Sequence, residues 1–270
     1  MRVTVLIDNI SNDSLLCEWG LSFHIEHGGC KYLLDTGGSD SFLKNAASLG
    51  IDLSEVNHAV LSHAHWDHSN GTDAFMGINS RADLLISPDA SENCYSRHSL
   101  FKKYIGLPKG LLDRYPQRIR RPRGISSVEN GVWIVPHNCP CPPAVARASH
   151  LYVRDGFRLM PDDFKHEQSL VFDLPEGLVV FNSCSHSGPE AIVSEVLDAF
   201  PGREVLAYFG GLHLSRKSDQ EVRAFAGRMS KCPVRMFYTG HCTGKSAFHI
   251  LEEALDGRVS LFFSGMVIDL

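Results

Sequence analysis

The sequence lacks any hydrophobic run long enough to cross a membrane. No apolar stretch approaches the ~20 residues that span a bilayer. Only a few mostly apolar residues stand between Arg2 and Asp8, which is too short for the apolar part of a secretory signal. We therefore expect a cytoplasmic protein without a membrane partner. Internal repeats and low-complexity linkers are also lacking, so we expect one domain over residues 1–270.

Closely paired cysteines are scarce, although the chain contains 8 cysteines in total. The nearest pair is Cys139 and Cys141, and this C-x-C spacing is not the C-x-x-C spacing of a zinc knuckle. Since no secretory signal is expected, we interpret the cysteines as free thiols rather than as a disulfide framework.

The chain also lacks an overall basic charge, with a formal net charge of −5. Residues 97–124 are the exception, because they contain nine Lys and Arg residues against Asp113 alone. We interpret this basic segment as an excursion from the core that lies near the active site. Aromatic residues do not alternate with its positive charges, which argues against a nucleic-acid partner.

Arginine holds phosphate and carboxylate groups through paired hydrogen bonds. We therefore expect the basic segment to bind an anionic group of a small-molecule substrate through Arg118, Arg120 or Arg121. A solvated loop is the alternative interpretation. The oligomeric state cannot be inferred from these patterns.

Apolar and alternating segments predict strands in both halves of the chain, with helices between them. The predicted strands are 3–7, 22–25, 31–34, 58–62, 84–86, 132–135, 170–174, 178–181, 204–209, 234–238, 259–263 and 266–268. The predicted helices are 41–49, 189–200, 218–229 and 247–255. This mixture is typical of a layered α/β domain.

The strongest chemical signal is the motif His63-Ala64-His65-Trp66-Asp67-His68, directly after a predicted strand. On an extended segment His63 and His65 point to the same side, because side chains alternate between faces. Two imidazoles on one side form half of a tetrahedral zinc site. Asp67 and His68 can face a second ion across the same cleft, and two ions can share and activate one hydroxide.

This H-x-H-x-D-H motif resembles the signature of the metallo-β-lactamase superfamily. The turn at Asp35-Thr36-Gly37 is similar to the first motif of that family, whose aspartate supports the metal ligands without binding the metal. The resemblance implies an α/β fold, a four-layer αββα sandwich with the metals at one edge between two sheets. It also implies hydrolytic chemistry.

Later motifs resemble a narrower subgroup, that of β-ribofuranosylaminobenzene-phosphate synthase and dihydropterin-linked metal-dependent hydrolases. Predicted strands 170–174 and 178–181 form a hairpin. His166 or Glu167 stands before it, Cys184 and His186 follow it, and His241 lies near the C-terminus. The metal ligands that the resemblance implies are His63, His65, Asp67, His68, His186 and His241. The bridging ligand stays open between Cys184, Glu167 and none.

The function that we expect is a metal-dependent hydrolase that uses a metal-bound hydroxide on a small anionic substrate, phosphorylated or pterin-like. We expect one or two zinc ions, with manganese, magnesium and iron as alternatives. His213, Glu167 or Asp67 is the candidate for managing the proton of the leaving group. The alternatives are a synthase-like transferase that releases pyrophosphate, a non-catalytic metal-stabilised binding protein and a redox di-iron protein.

Overall fold

Two large β-sheets lie face to face in the computed structural model, with a smaller sheet beside them. The structure describes residues 1–11, 14–98, 101–138 and 143–270. The closely spaced pair Cys139 and Cys141 lies outside the described residues. None of the helices in the described ranges has the length and apolar character needed to pass through a membrane.

The strands of the described residues alternate with short turns through both halves of the chain. They are β1 Arg2–Ile7, β2 Ser22–His27, β3 Cys30–Leu34, β4 His58–Val60, β5 Asp83–Leu85, β6 Cys94–His98, β7 Phe101–Tyr104, β8 Ile119–Arg120, β9 Ser126–Glu129, β10 Val132–Pro136, β11 Leu151–Asp155, β12 Arg158–Pro161, β13 Gln168–Leu174, β14 Gly177–Phe181, β15 Val205–Phe209, β16 Val234–Thr239, β17 Val259–Leu261 and β18 Val267–Asp269.

The helices are short, and the longest of them have 11 residues. They are α1 Ser41–Ser48, α2 Trp66–Ser69, α3 Thr72–Ile78, α4 Leu111–Arg114, α5 Pro143–Ala148, α6 Pro189–Ala199, α7 Asp219–Met229 and α8 Lys245–Leu255. A capping box starts α7, because the Ser218 side chain accepts from the Glu221 backbone N–H and the Glu221 side chain accepts from the Ser218 backbone N–H.

The first sheet has the strand order β18-β1-β2-β3-β4-β5-β8, and the second has the order β17-β16-β15-β14-β13-β10-β9. Three hydrophobic layers follow from this stacking. One lies between the first sheet and helices α1 and α3, one between the two sheets, and one between the second sheet and helices α6, α7 and α8. These layers form the expected four-layer αββα sandwich.

The hairpin of β13 and β14 shows how the sequence specifies these layers. Leu170 and Phe172 pack between the sheets, whereas Val171 faces the helices. Successive side chains of a strand point to opposite faces, so a strand buried on both sides reads as one continuous apolar run. The predicted pairing is confirmed, with Val171 opposite Val180.

The basic segment belongs to the first sheet and its hydrophobic layer, and it is not only an excursion from the core as the sequence predicted. Ile105, Leu107 and Leu111 belong to the first hydrophobic layer, and β8 pairs in parallel with β5 at the sheet edge. The segment therefore completes the first sheet. The small antiparallel sheet β12-β11-β6-β7 was not predicted, since its strands lack a strong apolar alternation.

The three arginines that were expected to bind substrate bind the protein itself. Arg118 donates to the backbone oxygens of Ala82 at 2.6 Å and of Met76 at 3.2 Å. Arg120 pairs with Asp83 at 2.8 Å. Arg121 donates hydrogen bonds to the backbone carbonyls of residues 87, 88 and 90. These contacts hold the edge strand and its neighbouring loops in place.

Replacing Arg118 with alanine should lower the free energy of unfolding by about 1.5–3 kcal/mol, because hydrogen bonds to charged groups are worth that much. Urea denaturation measures the effect. The control is Arg120→Ala, whose ion pair is exposed and should contribute less than about 1 kcal/mol. Equal losses in the two variants would contradict a special role for Arg118.

Candidate metal centre

The carboxylate of Asp35 holds three segments of the site together. It accepts hydrogen bonds from the Ser62 backbone N–H at 2.7 Å and from the Ser62 hydroxyl at 2.7 Å. Its Oδ2 also contacts Nδ1 of His68 at 2.8 Å and accepts from the Ser183 hydroxyl. The side chain is fully buried. Asp35 therefore links the histidine motif to the loop that follows β14.

The first donor group consists of His63, His65 and His186. One ligand atom from each of these residues lies within 4.8 Å of the others. The ring centroids are 4.6 Å apart for His63 and His65, and each of them is 4.9 Å from His186. The structure thus places His186 beside the histidine motif, although more than a hundred residues separate them in sequence.

The second donor group consists of Asp67, His68 and His241. Oδ2 of Asp67 lies 3.5 Å from Nε2 of His241 and 4.0 Å from Nε2 of His68. Nδ1 of His241 is hydrogen-bonded to Oδ1 of Asn9 at 3.0 Å, so its Nε2 is the atom that faces the carboxylate.

Cys184 stands between the two groups. Its Sγ lies 3.2 Å from Nε2 of His68 and within 4.8 Å of ligand atoms of both His63 and His241. The alternative bridging residue, Glu167, is engaged elsewhere, because its two carboxylate oxygens accept from the backbone N–H groups of His186 and Ser187, each at 2.8 Å. Cys184 is the residue whose position suits a bridge.

These residues fit a metal ion by a test that is independent of the motif. The Nε2 atoms of five histidines are buried without a hydrogen-bond partner among the described residues. Those of His63, His186 and His241 belong to the donor groups, that of His65 lies 3.8 Å from the Asp162 carboxylate, and that of His24 lies on β2, outside the site. An unpartnered buried polar atom is costly and usually has an unseen partner. Two ligands of one tetrahedral zinc ion lie about 3.3–3.8 Å apart, which is close to the separations in the second group.

The electrostatics favour neutral imidazoles at two of the three histidines of the first group. Burial opposes a charge on the third, His65, yet Asp162 raises the pKa of that imidazole to about 9. Burial, and then the neighbouring imidazole of His68, holds the pKa of His63 well below its usual value. Burial likewise lowers the pKa of His186, with a further contribution from His213. Neutral imidazole is the form that binds metal.

The second group favours a cation between a carboxylate and an imidazole. Burial alone would raise the pKa of the Asp67 carboxyl, but His68 and His241 lower it below its usual value. Burial also opposes charge on His241, yet Asp67 raises the pKa of that imidazole to about 9. The Asp67 carboxylate therefore stabilises a positive charge on His241, and a metal ion bound there would take the place of that proton.

The backbone is strained at several residues of the site. Four non-glycine residues there have a positive φ: 60° at Asp35, 53° at Ser185, 53° at His213 and 47° at His241. Such conformations cost free energy and tend to occur at functional sites.

Two close neighbours of the donor groups were not predicted from the sequence. The Trp19 indole N–H donates to Oδ2 of Asp67 at 2.8 Å. Cys242 has its Sγ within 4.8 Å of ligand atoms of Cys184 and His241. Its position after His241 in the Gly240-His-Cys-Thr-Gly244 motif was the available signal. A Cβ at Gly211 would lie 2.4 Å from that sulfur, so only glycine fits there.

The donor groups open into a cavity of about 560 Å³. The cavity is lined by Trp19, Trp66 and Phe101, and by the basic residues Lys102, Lys103, Arg216 and Lys217. His213 also lines it, and Nδ1 of this residue has no partner within the described chain.

The three arginines of the sequence prediction are not among the described residues that line this cavity. Their positions therefore do not favour the expected contact with the substrate. Of the basic segment, Lys102 and Lys103 reach the cavity.

More than half of the chain matches a known protein family. Residues 20–181 match the family model of the metallo-beta-lactamase superfamily. A 7,8-dihydropterin-6-methyl-4-(beta-D-ribofuranosyl)-aminobenzene-5'-phosphate synthase of Methanocaldococcus jannaschii is 26% identical, covering 95% of this chain and 92% of the relative.

Solved structures resemble the whole chain. A crystal structure described as a metal-dependent hydrolase of the beta-lactamase superfamily has 27% identity and a TM-score of 0.84, covering 100% of this chain and 99% of that one. Zinc-bound PqqB from Methylobacterium extorquens has 10% identity and a TM-score of 0.59, covering all of both chains, and shares the fold. The chain belongs to the metallo-beta-lactamase superfamily.

Proposed function

We propose that this protein is a metal-dependent hydrolase that binds two zinc ions and acts on a small anionic substrate with an aromatic part. The observation that carries the proposal is the convergence of two donor groups on Cys184 at the cavity. One ion is assigned to His63, His65 and His186, and the other to Asp67, His68 and His241. Nitrogen and sulfur donors favour zinc over magnesium.

A bound zinc ion would lower the pKa of water and polarise the bond to be broken. The residues of the chain then have separate roles. His213 is the candidate for the proton of the leaving group, because it lines the cavity with an unpartnered Nδ1 and its ring centroid lies 4.6 Å from that of His186. Glu167 positions the His186 loop through its two backbone hydrogen bonds, and this occupation replaces its expected role in proton transfer.

The basic residues that line the cavity are suited to bind an anionic substrate, and they are not the predicted arginines. Lys217 is paired with Glu221 at 3.2 Å, and the Lys103 ammonium lies 5.5 Å from the centre of the Trp66 ring. Lys102 and Arg216 have no ion pair within the part of the chain that is described. We assign the anionic group of the substrate to these two side chains, and its aromatic part to Trp19 and Trp66.

A synthase is the second candidate function. The relative with 26% identity over 95% of the chain is named as a synthase of a phosphorylated dihydropterin compound. In that case the site would transfer the ribosyl group of a ribosyl diphosphate to an aromatic amine or acid, release pyrophosphate, and not hydrolyse an ester. Assays for pyrophosphate release and for cleavage of phosphodiesters, thioesters and lactones, run on the same zinc-loaded protein, separate the two functions.

His186→Ala should lose bound zinc and most hydrolytic activity, because it removes one of the three imidazoles assigned to the first ion. The fold should survive, since the core has three large hydrophobic layers. Metal analysis and circular dichroism measure the two effects. The control is His249→Ala, which removes an exposed imidazole on α8. Full zinc content and turnover in His186→Ala would refute the proposed site.

The double variant Lys102→Ala/Arg216→Ala should raise KM for a phosphorylated substrate by more than tenfold, because each charged hydrogen bond is worth about 1.5–3 kcal/mol. KM for a neutral analogue should change little, and zinc content should stay constant. Lys231→Ala/Arg235→Ala is the matched control, since it removes the same charge from exposed residues that do not line the cavity. Similar KM changes in both double variants would point to a long-range charge effect instead.

A further inference from the structure

A second buried cluster adjoins the first donor group, and the proposed reaction does not use it. It consists of Cys94, Asp162 and His166, which meet the ring of His65. All four residues are buried. Cys94 begins β6 and Asp162 follows β12, so the small sheet brings this cluster to the histidine motif.

One reading of the cluster is a separate four-ligand metal site, but the hydrogen bonds of His166 argue against it. The Ala64 backbone N–H donates to Nδ1 of His166 at 3.2 Å, so Nδ1 carries a lone pair and no proton. A neutral imidazole then carries its proton on Nε2. Nε2 lies 3.2 Å from Oδ2 of Asp162 and donates to it. The Nε2 lone pair that a metal would need is therefore not available.

The Asp162 carboxylate is fixed by these and other contacts. Its Oδ2 accepts from His166, and its Oδ1 accepts from the Phe164 backbone N–H at 2.8 Å. Oδ2 also lies 3.8 Å from Nε2 of His65. That Nε2 is buried and has no hydrogen-bond partner within the described residues.

A metal-bound imidazole normally donates its other ring N–H to a carboxylate or a carbonyl, which fixes the orientation of the ring. Asp162 offers such an acceptor to Nε2 of His65. His166 meanwhile holds the backbone at Ala64, between the two histidines of the motif. His166 thus holds the histidine motif at the Ala64 backbone, and Asp162 faces it at the His65 ring.

We propose that Asp162 is the positioning residue for His65, which binds its metal ion through Nδ1 while its Nε2–H faces the Asp162 carboxylate. Asp162 then serves the first donor group as Asp35 serves His68 in the second. The proposal rests on the metal site of the proposed function, but not on the reaction.

Asp162→Asn should weaken zinc binding at the first donor group by about 10–100-fold, which is the effect typical of such outer partners. Competition with a chelating dye measures the affinity without any substrate. The matched control is Asp163→Asn, which removes the neighbouring carboxylate from an exposed pair with Lys165 and should leave the affinity unchanged. Equal affinities in the two variants would overturn the proposal.

A measurement on the unaltered protein covers the case in which Asp162→Asn does not fold. Long-range ¹H–¹⁵N spectra of zinc-loaded protein with labelled histidine should show His65 with zinc on Nδ1 and hydrogen on Nε2. The reverse tautomer would overturn the proposal. Cys94→Ser should keep the same number of bound ions, and the loss of one ion would favour the four-ligand reading. If the unaltered protein binds no zinc, the proposed function itself fails.

Discussion

The hydrogen bonds of the Asp35 carboxylate hold together two parts of the site that are far apart in sequence. They fix Ser62 before the histidine motif, His68 within it and Ser183 beside Cys184. The carboxylate is fully buried, where an unsatisfied charge would be very costly. The arrangement therefore forms only when both sheets are in place, since Ser62 follows a strand of the first sheet and Ser183 follows a strand of the second.

The donor groups also depend on both sheets. His63 and His65 come from the loop after β4, and Asp67 and His68 from the short helix α2 that follows it. Cys184, His186 and His241 come from the segments after β14 and β16. Each loop leaves its sheet at the same edge of the sandwich. The hydrophobic layer between the sheets sets the distance between the loops, so packing far from the site determines whether the donors meet. The unpartnered nitrogens are stabilised in these positions by the core rather than by their own contacts.

The sequence predicted the sandwich and the histidine motif, because both depend on local patterns. Continuous apolar runs such as 170–174 and 178–181 predict strands, and H-x-H-x-D-H has a fixed spacing. The role of Arg118 was not predictable, because a guanidinium group suits a substrate phosphate and a backbone carbonyl equally well. Asp162 was missed for another reason: its place beside His65 depends on the small sheet, whose strands carry no strong apolar pattern.

The left-handed backbone at Ser185, His213 and His241 has a consequence for how this protein can change. Each of these conformations costs of order 1–3 kcal/mol, and glycine would adopt it with less strain. Glycine would also delete the His213 and His241 side chains of the candidate site and the Ser185 hydroxyl, which is hydrogen-bonded to the Tyr208 hydroxyl and to the Gly211 carbonyl. Selection for thermal robustness and selection for chemistry thus act against each other at the same three positions. A more heat-resistant version of this chain has to gain its stability elsewhere, in the three apolar layers or at the sheet edges.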